Sequence, residues 1–257
     1  MTLGRTDASR GSISIDVKNL SRMFGNVTAL DHCSVYFAPG IIHGIIGPEG
    51  AGKTTLLRTL LGLLDLKSGE IIYKKDEQIV KFKKIRDDIA YMPETQSLYG
   101  DLSIEEHLHF FKDMYGMNRR DFEAKSSELL RLTRLDAFKD RAAGKLSGGM
   151  YKKLGLMCAL LRSPSVILLD EPTNGVDPIS RREFWALLYN LMKGNDITIL
   201  MATAYMDEAE RCSQVHLLDN GRVLAEGEPR QLMGRFEVQD FNELLLKLSQ
   251  SHEEEKD

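Results

Sequence analysis

A glycine-rich segment, GPEGAGKTT at positions 47–55, carries the strongest chemical signal in this sequence. It fits the pattern G-x-x-x-x-G-K-[ST] and lies between an apolar run and a segment of helical periodicity, the context that a phosphate-binding loop requires. Glycines let backbone N–H groups curl around phosphate oxygens, and the first turn of the following helix adds a positive field. Lys53 can then reach the β- and γ-phosphates of a nucleotide, and the Thr54 hydroxyl can bind Mg²⁺. The residues predicted to bind nucleotide here are Gly47, Pro48, Glu49, Gly50, Ala51, Gly52, Lys53, Thr54 and Thr55.

A second candidate segment is VILLDEP at 166–172. An apolar strand that ends in a carboxylate can place Asp170 beside the phosphate loop, where it would hold Mg²⁺ through water. The adjacent Glu171 is then a candidate general base for an attacking water. Alone, an apolar strand ending in Asp-Glu is common and has an equally good structural explanation. Paired with the phosphate loop, it predicts the second half of a nucleotide site.

The third candidate is LSGGM at 146–150, in which a serine and two glycines open a helix. A serine N-cap with free N–H groups behind it can bind an anion. A lone SGG is usually just the start of a helix, so this segment gains meaning only from its place between the other two.

Alternating strand and helix patterns must position these segments. The pattern predicts strands at 13–17, 34–37, 41–46, 70–73, 89–92, 166–170, 197–203, 215–218 and 222–226. It predicts helices from the phosphate loop to about residue 64, at 104–115 and 120–133, from 147 to about 161, and from 177 to about 192. The predicted fold class is α/β: a parallel-rich P-loop core with an N-terminal antiparallel portion and an inserted helical subdomain at about 95–162. Residues 1–12 are predicted to be a flexible N-terminus, 13–235 a nucleotide-binding domain, and 236–257 a C-terminal helix with an acidic tail.

The composition and net charge of the chain exclude some classes of function. The chain has 257 residues with 34 Lys and Arg against 38 Asp and Glu, a formal net charge of −4. This balance argues against nucleic acid as the main partner. Neither an apolar run of membrane-spanning length nor a secretory signal is present in the sequence, so we expect a cytosolic chain. Its three cysteines, Cys33, Cys158 and Cys212, have no metal-binding or redox spacing and are expected to be buried thiols.

Taken together, the three segments resemble those of the ATP-binding subunits of ABC transporters, over roughly residues 13–235. GPEGAGKTT is similar to the Walker A motif of that family, LSGGM to its signature motif and VILLDEP to its Walker B motif. GVDP at 175–178 resembles the D-loop, and Phe24 occupies the position of an aromatic residue that contacts adenine. Within the family, AGKLSGGM, GVDPISRRE and YMDEAERC are most similar to exporter-type subunits, in particular the first half of tandem drug-efflux proteins.

The resemblance implies a mechanism that spacing alone does not. Two ATP-binding domains would close head-to-tail, as a homodimer or a heterodimer, around ATP and Mg²⁺. The signature residues Ser147, Gly148, Gly149 and Met150 of one domain would then complete the site of the other. Hydrolysis would drive a separate membrane permease, and we expect the chain on the inner face of the cell membrane. The segment SLYGDLSIEEHLHFF at 97–111, with Leu98 and Tyr99, resembles the region that receives the permease.

Two positions depart from the family pattern. Glu94 stands where the family has a glutamine that approaches Mg²⁺; a carboxylate keeps the oxygen and adds negative charge. Ala204 stands where the family has a switch histidine, and a methyl group can neither contact the γ-phosphate nor orient a water. The expected function is therefore an ABC-type ATPase with reduced activity. The alternatives are a hydrolytically weakened half that completes a partner's site, and a soluble ABC ATPase that acts on DNA, on ribosomes or in cluster assembly.

Overall fold

The computed structural model describes residues 11–95, 98–193 and 196–254, with side chains to residue 250. The predicted flexible N-terminus therefore lies outside the described residues up to position 10, as do Ser97 of the proposed permease-binding segment and the last residues of the acidic tail, 255–257. Within the described ranges, none of the helices has both the length and the apolar character needed to cross a membrane.

A six-stranded sheet forms the centre of the molecule, in the order β10-β9-β3-β8-β7-β6. Its strands are β3 (Ile42–Ile46), β6 (Ile89–Met92), β7 (Val166–Asp170), β8 (Thr198–Thr203), β9 (Gln214–Asp219) and β10 (Arg222–Gly227). All neighbours pair in parallel except β9 and β10, which form a hairpin. Parallel strands bring their carboxyl ends to one edge, so the residues that follow β3, β7 and β8 meet there.

A second, antiparallel sheet has the order β2-β1-β4-β5. It consists of β1 (Ile13–Phe24), β2 (Val27–Phe37), β4 (Ser68–Lys75) and β5 (Gln78–Val80). The fold class predicted from the sequence is confirmed, since the antiparallel portion and the parallel-rich core are both present. The strand predicted at 34–37 is wrong in its start, because a turn at Gly25 pairs β1 with the whole of β2.

Helices surround the central sheet. They are α1 (Lys53–Leu60), α2 (Phe82–Ile85), α3 (Ile104–Met114), α4 (Arg119–Thr133), α5 (Gly148–Leu160), α6 (Pro178–Met192), α7 (Pro229–Phe236) and α8 (Phe241–Glu254). The predicted extension of α1 to residue 64 is wrong, because Gly62 has a φ of 63° and its neighbour Leu63 donates its N–H to the Arg58 carbonyl. These features end the helix in a Schellman motif.

Side chains of the central strands point alternately to the two faces of the sheet, and each face is covered by an apolar layer. Ile42 and Ile46 of β3 lie in the layer that contains the helices α3 to α6. Ile45 lies in the opposite layer, against α1 and the antiparallel sheet. This burial on both faces explains why the strands read as continuous apolar runs. Helix α8 buries Phe241 and Leu244 in the first layer. The domain boundaries predicted from the sequence stay predictions.

The capping box at the start of α3 gives a test of local stability. The Ser103 hydroxyl accepts the Glu106 N–H, and the Glu106 carboxylate accepts the Ser103 N–H. Replacing Ser103 by alanine should lower the free energy of unfolding by about 1 kcal/mol, because one helix N–H loses its acceptor. Urea denaturation measures this change. Ser127→Ala, at an exposed position inside α4, is the matched control and should change stability little; equal losses in both variants would contradict the capping role.

Candidate nucleotide site

The predicted phosphate loop joins the end of β3 to the start of α1. Gly52 has a φ of 104°, and a side chain there would place its Cβ 2.3 Å from the Ala29 carbonyl oxygen. A Cβ on Gly47 would lie 2.0 Å from the Leu218 carbonyl oxygen. Both positions therefore require glycine, because the backbone of neighbouring strands approaches too closely for any other residue. Glu49 and Gly50, at the tip of the loop, are exposed.

Lys53 is buried at the base of this loop. Its Nζ donates to the carbonyl oxygens of Gly47 at 2.8 Å and Pro48 at 2.9 Å, and it pairs with Glu171 Oε1 at 3.1 Å. The ammonium group is thus held across the mouth of the loop by three oxygens. The ion pair places the predicted phosphate-binding cation and the predicted general base in direct contact.

The Thr54 hydroxyl lies one residue further along α1 and donates to Asp170 Oδ1 at 2.8 Å. Asp170 ends β7 and is fully buried. Its second oxygen, Oδ2, accepts the Tyr91 hydroxyl at 2.9 Å. Burial raises the pKa of that tyrosine to about 12, so its hydroxyl stays protonated and able to donate. Two of the three predicted metal-binding residues therefore lie together, and a tyrosine holds the carboxylate in place.

Glu171 follows Asp170 with a φ of 45°, an uncommon backbone conformation for this residue type. Its N–H donates to the Ala202 carbonyl at 2.9 Å, and its Oε2 accepts the Ala204 N–H at 3.1 Å. Burial raises the pKa of the Glu171 carboxyl, and the Lys53 charge opposes that rise. A carboxyl with a raised pKa and a fixed orientation is suited to accept a proton from water.

Asn174 contacts Glu94, the first of the two departures from the family pattern, and Tyr205, the neighbour of the second. The Asn174 side-chain amide donates to Glu94 Oε1 at 3.2 Å, and the Tyr205 hydroxyl lies 3.5 Å from the side-chain oxygen Oδ1 of Asn174. The Tyr205 ring also packs 4.1 Å from the Arg181 guanidinium. Ala204 itself contributes its N–H to Glu171 rather than a side chain. The role of Glu94 in binding metal stays a prediction.

The signature segment begins at an exposed serine. Ser147 caps α5 by accepting the Met150 N–H at 3.3 Å, and Gly148 beside it is exposed. Gly149 is buried, and a Cβ there would lie 2.6 Å from Ser180 Cβ at the start of α6. The close approach fixes this helix start against the segment that resembles the D-loop.

Phe24 lies at the end of β1 with 45% of its surface exposed. The Arg22 guanidinium lies 5.0 Å from the centre of its ring. An exposed aromatic face at this position is free to contact a flat ligand, and its role with adenine stays a prediction.

Two residues that support this site were not predicted from the sequence. Tyr91 holds Asp170, and Lys152 donates to the main-chain carbonyls of Glu94 at 3.1 Å and Glu171 at 3.3 Å. Burial lowers the pKa of this lysine. The signal for Tyr91 was a polar residue in β6, the strand next to β7. Lys152 had none beyond its place in the helix after LSGGM, since its contacts depend on packing.

The fold and this geometry define a P-loop nucleotide-binding protein. Comparison with known proteins narrows the class further, since the family description "ABC transporter" matches residues 30–174. A solved structure titled as the ATP-binding subunit of an ABC transporter superposes with a TM-score of 0.78 at 29% identity, covering 91% of this chain and 99% of that one. The chain therefore belongs to the ABC transporter family and contains its ATP-binding domain.

Two curated relatives show what kinds of ABC protein are similar. The probable multidrug ABC transporter ATP-binding protein YbhF of Escherichia coli is 43% identical over 80% of this chain and 35% of its own length. The Nod factor export ATP-binding protein I of Cupriavidus metallidurans is 34% identical over 85% of this chain and 72% of its own length. The chain thus spans about a third of the length of the first relative. These similarities do not favour the alternative of a hydrolytically weakened half.

Proposed function

We propose that this chain binds and hydrolyses ATP with Mg²⁺ to power an export permease. The observation that carries the proposal is the convergence of Lys53, Thr54, Asp170 and Glu171, which come from segments more than a hundred residues apart. A cation for phosphate, hard oxygen donors for a metal and a buried carboxylate for water are the groups that phosphoryl transfer to water needs.

The donor set fits magnesium. Asp170 and Thr54 offer a carboxylate and a hydroxyl oxygen 2.8 Å apart, and Mg²⁺ is usually held by one or two such ligands together with substrate phosphates. Among the described residues, no cluster of three or more His, Cys, Asp or Glu side chains is placed to hold a metal. When bound, the ion would neutralise charge on the β- and γ-phosphates. In this chain Tyr91 keeps the Asp170 carboxylate oriented toward Thr54.

Lys53 and Glu171 exchange partners in the proposed cycle. Lys53 now pairs with Glu171, and nucleotide phosphates would offer the ammonium group a stronger anionic partner. Glu171 would then be released to accept a proton from the attacking water while the Ala204 N–H keeps its other oxygen in place. Phe24 would contact adenine and Glu94 would face the metal, as predicted from the sequence.

We further propose that the site is shared by two ATP-binding domains. The exposure of Ser147 and Gly148, in contrast to the burial of Lys53 and Asp170, supports this proposal. Free N–H groups at the start of α5 are available to the phosphates of a nucleotide held by a second domain.

The proposed partner is a membrane permease on a separate chain or segment, with this domain on the cytoplasmic face of the membrane. The names of the relatives, multidrug transporter and Nod factor export protein, support export. An exposed aromatic pair supports the predicted contact region: Tyr99 is 56% exposed and Phe110 41%, with ring centres 5.3 Å apart. Leu98, also predicted in this region, is half-buried and donates its N–H to the Tyr151 hydroxyl.

Replacing Ser147 by arginine tests the shared site. We expect this variant to bind ATP like the wild type but to weaken ATP-dependent dimerisation at least about 10-fold, because a long cation would fill the contact with the second domain. Analytical ultracentrifugation with ATP in the Glu171→Gln background measures the dimer. Ser127→Arg, on the exposed face of α4, is the control and should dimerise normally. Unchanged dimerisation of the Ser147 variant would contradict the shared site.

A further inference from the structure

A fully buried carboxylate outside the predicted site joins three segments around it. Glu208 lies in the 3-10 turn that follows β8, and none of its surface is exposed. Its Oε1 accepts the Thr173 hydroxyl at 2.8 Å, the Trp185 indole N–H at 3.0 Å and the Arg181 guanidinium at 3.2 Å. Its Oε2 has no hydrogen-bond donor among the described residues.

The partners of Glu208 place it at a junction. Thr173 is two residues beyond Glu171, in the loop that leaves β7. Arg181 and Trp185 belong to α6. The Glu208 N–H donates to the Tyr205 carbonyl at 3.1 Å. This hydrogen bond connects the turn that contains Glu208 to Tyr205, the residue after Ala204. One carboxylate oxygen therefore ties the loop after β7 to the turn after β8.

The same two segments meet a second time, at the Ala204 N–H and Glu171 Oε2. Because residue 204 is an alanine, its contact with the Glu171 carboxylate is made by the backbone N–H and not by a side chain. We propose that the Thr173–Glu208 hydrogen bond is a clamp that holds the Ala204 N–H on Glu171, which makes Thr173 and Glu208 positioning residues. The importance of the clamp for turnover rests on the proposed function, in which Glu171 accepts a proton from water.

The environment of Glu208 supports a positioning role. A buried carboxylate with one oxygen lacking a donor costs free energy compared with an apolar side chain of the same shape. Oε1 accepts all three hydrogen bonds, and the donors lie in the loop after Glu171 and in α6. The carboxylate thus fixes the relative position of these segments with a directionality that apolar packing does not supply.

Two substitutions at the fully buried Thr173 separate positioning from packing. Thr173→Val keeps the shape of the side chain and removes the hydroxyl, so it opens the clamp without a cavity. Thr173→Ser keeps the hydroxyl and removes a methyl group, so it preserves the clamp and loosens the packing. Asp207→Asn is the control for charge, because Asp207 contacts the same Arg181 nitrogen at 3.2 Å but is exposed.

Kinetics on the purified chain give the first readout. Thr173→Val should lower kcat for ATP about 10-fold with KM changed less than twofold, because a misplaced base affects the chemical step rather than binding. Thr173→Ser and Asp207→Asn should keep at least half of the wild-type kcat. A wild-type kcat in Thr173→Val, or equal losses in the valine and serine variants, would overturn the proposal.

Amide hydrogen exchange gives a readout that does not depend on turnover. The Ala204 amide should exchange about 5- to 10-fold faster in Thr173→Val than in the wild type, the loss expected when one hydrogen bond is weakened. The serine variant should exchange as the wild type does. If the wild-type chain hydrolyses no more ATP than Glu171→Gln does, the proposed function is wrong, but the hydrogen-exchange measurement still tests the clamp. Equal exchange of the Ala204 amide in the wild type and in both Thr173 variants would exclude the clamp.

Discussion

Glu171→Gln is expected to lower ATP turnover by about 10³-fold, because it removes the proposed general base. The glutamine keeps the shape of the side chain, and its amide oxygen can still accept the Ala204 N–H. It cannot accept a proton from water, and it removes the anionic partner of Lys53. Catalysis should therefore be lost while ATP binding changes by no more than a few-fold.

Steady-state hydrolysis with Mg²⁺ and equilibrium ATP binding, measured on the same samples, check this prediction. Glu210→Gln is the matched control, because Glu210 is an exposed carboxylate in the turn after β8. It should hydrolyse ATP at the wild-type rate. Turnover of Glu171→Gln within threefold of the wild type would show that another group activates the water.

Ala204→His is expected to raise turnover by about 10²-fold, the second large effect. The contact between the Ala204 N–H and Glu171 belongs to the backbone, so the substitution leaves it in place. The new imidazole would add a hydrogen-bond donor that can contact the γ-phosphate or orient the water, where the wild type has only a half-buried methyl group. Ala204→Leu adds similar bulk without a donor and should give no gain.

The comparison of these variants also tests the role of Tyr205. Its hydroxyl already contacts Asn174, which in turn contacts Glu94. If Ala204→His gives no gain and Tyr205→Phe lowers turnover, the tyrosine already supplies the missing group. If Ala204→His gives no gain and Tyr205→Phe has no effect, orientation of the water does not limit the rate in the isolated chain.

The sequence predicted those parts of the fold that depend on short stretches of chain. The strands 89–92 and 166–170 were predicted with their observed bounds, because each is a short apolar run bounded by turn signals. The cap at Ser147 was also predicted, since a cap acts within one helical turn. Helix α1 was predicted too long, because the apolar pattern continues beyond Gly62, which ends the helix. Helix α7, of eight residues, and strand β5, of three, were missed because they are short.

The candidate site divides in the same way. The phosphate loop could be recognised from nine consecutive residues, because its glycines and Lys53 act through the backbone around them. The position of Asp170 and Glu171 beside the loop followed from the rule that parallel strands bring their carboxyl ends to one edge. Two supporting residues could not be predicted: Tyr91, which donates to the Asp170 carboxylate, and Lys152, which donates to the main-chain carbonyl of Glu171. Nothing in their local sequence distinguishes them from ordinary strand and helix residues.

The sequence by itself therefore determined that this chain has a phosphate loop, a paired carboxylate segment and an α/β fold that brings them together. Only the tertiary structure decided which atoms meet: Lys53 with Glu171, Thr54 with Asp170, and Thr173 with Glu208. The physical reason is that motifs and caps are short-range interactions, fixed by neighbours along the chain. The second set of contacts depends on the register of strands and the packing of helices, to which residues far apart in the sequence contribute together.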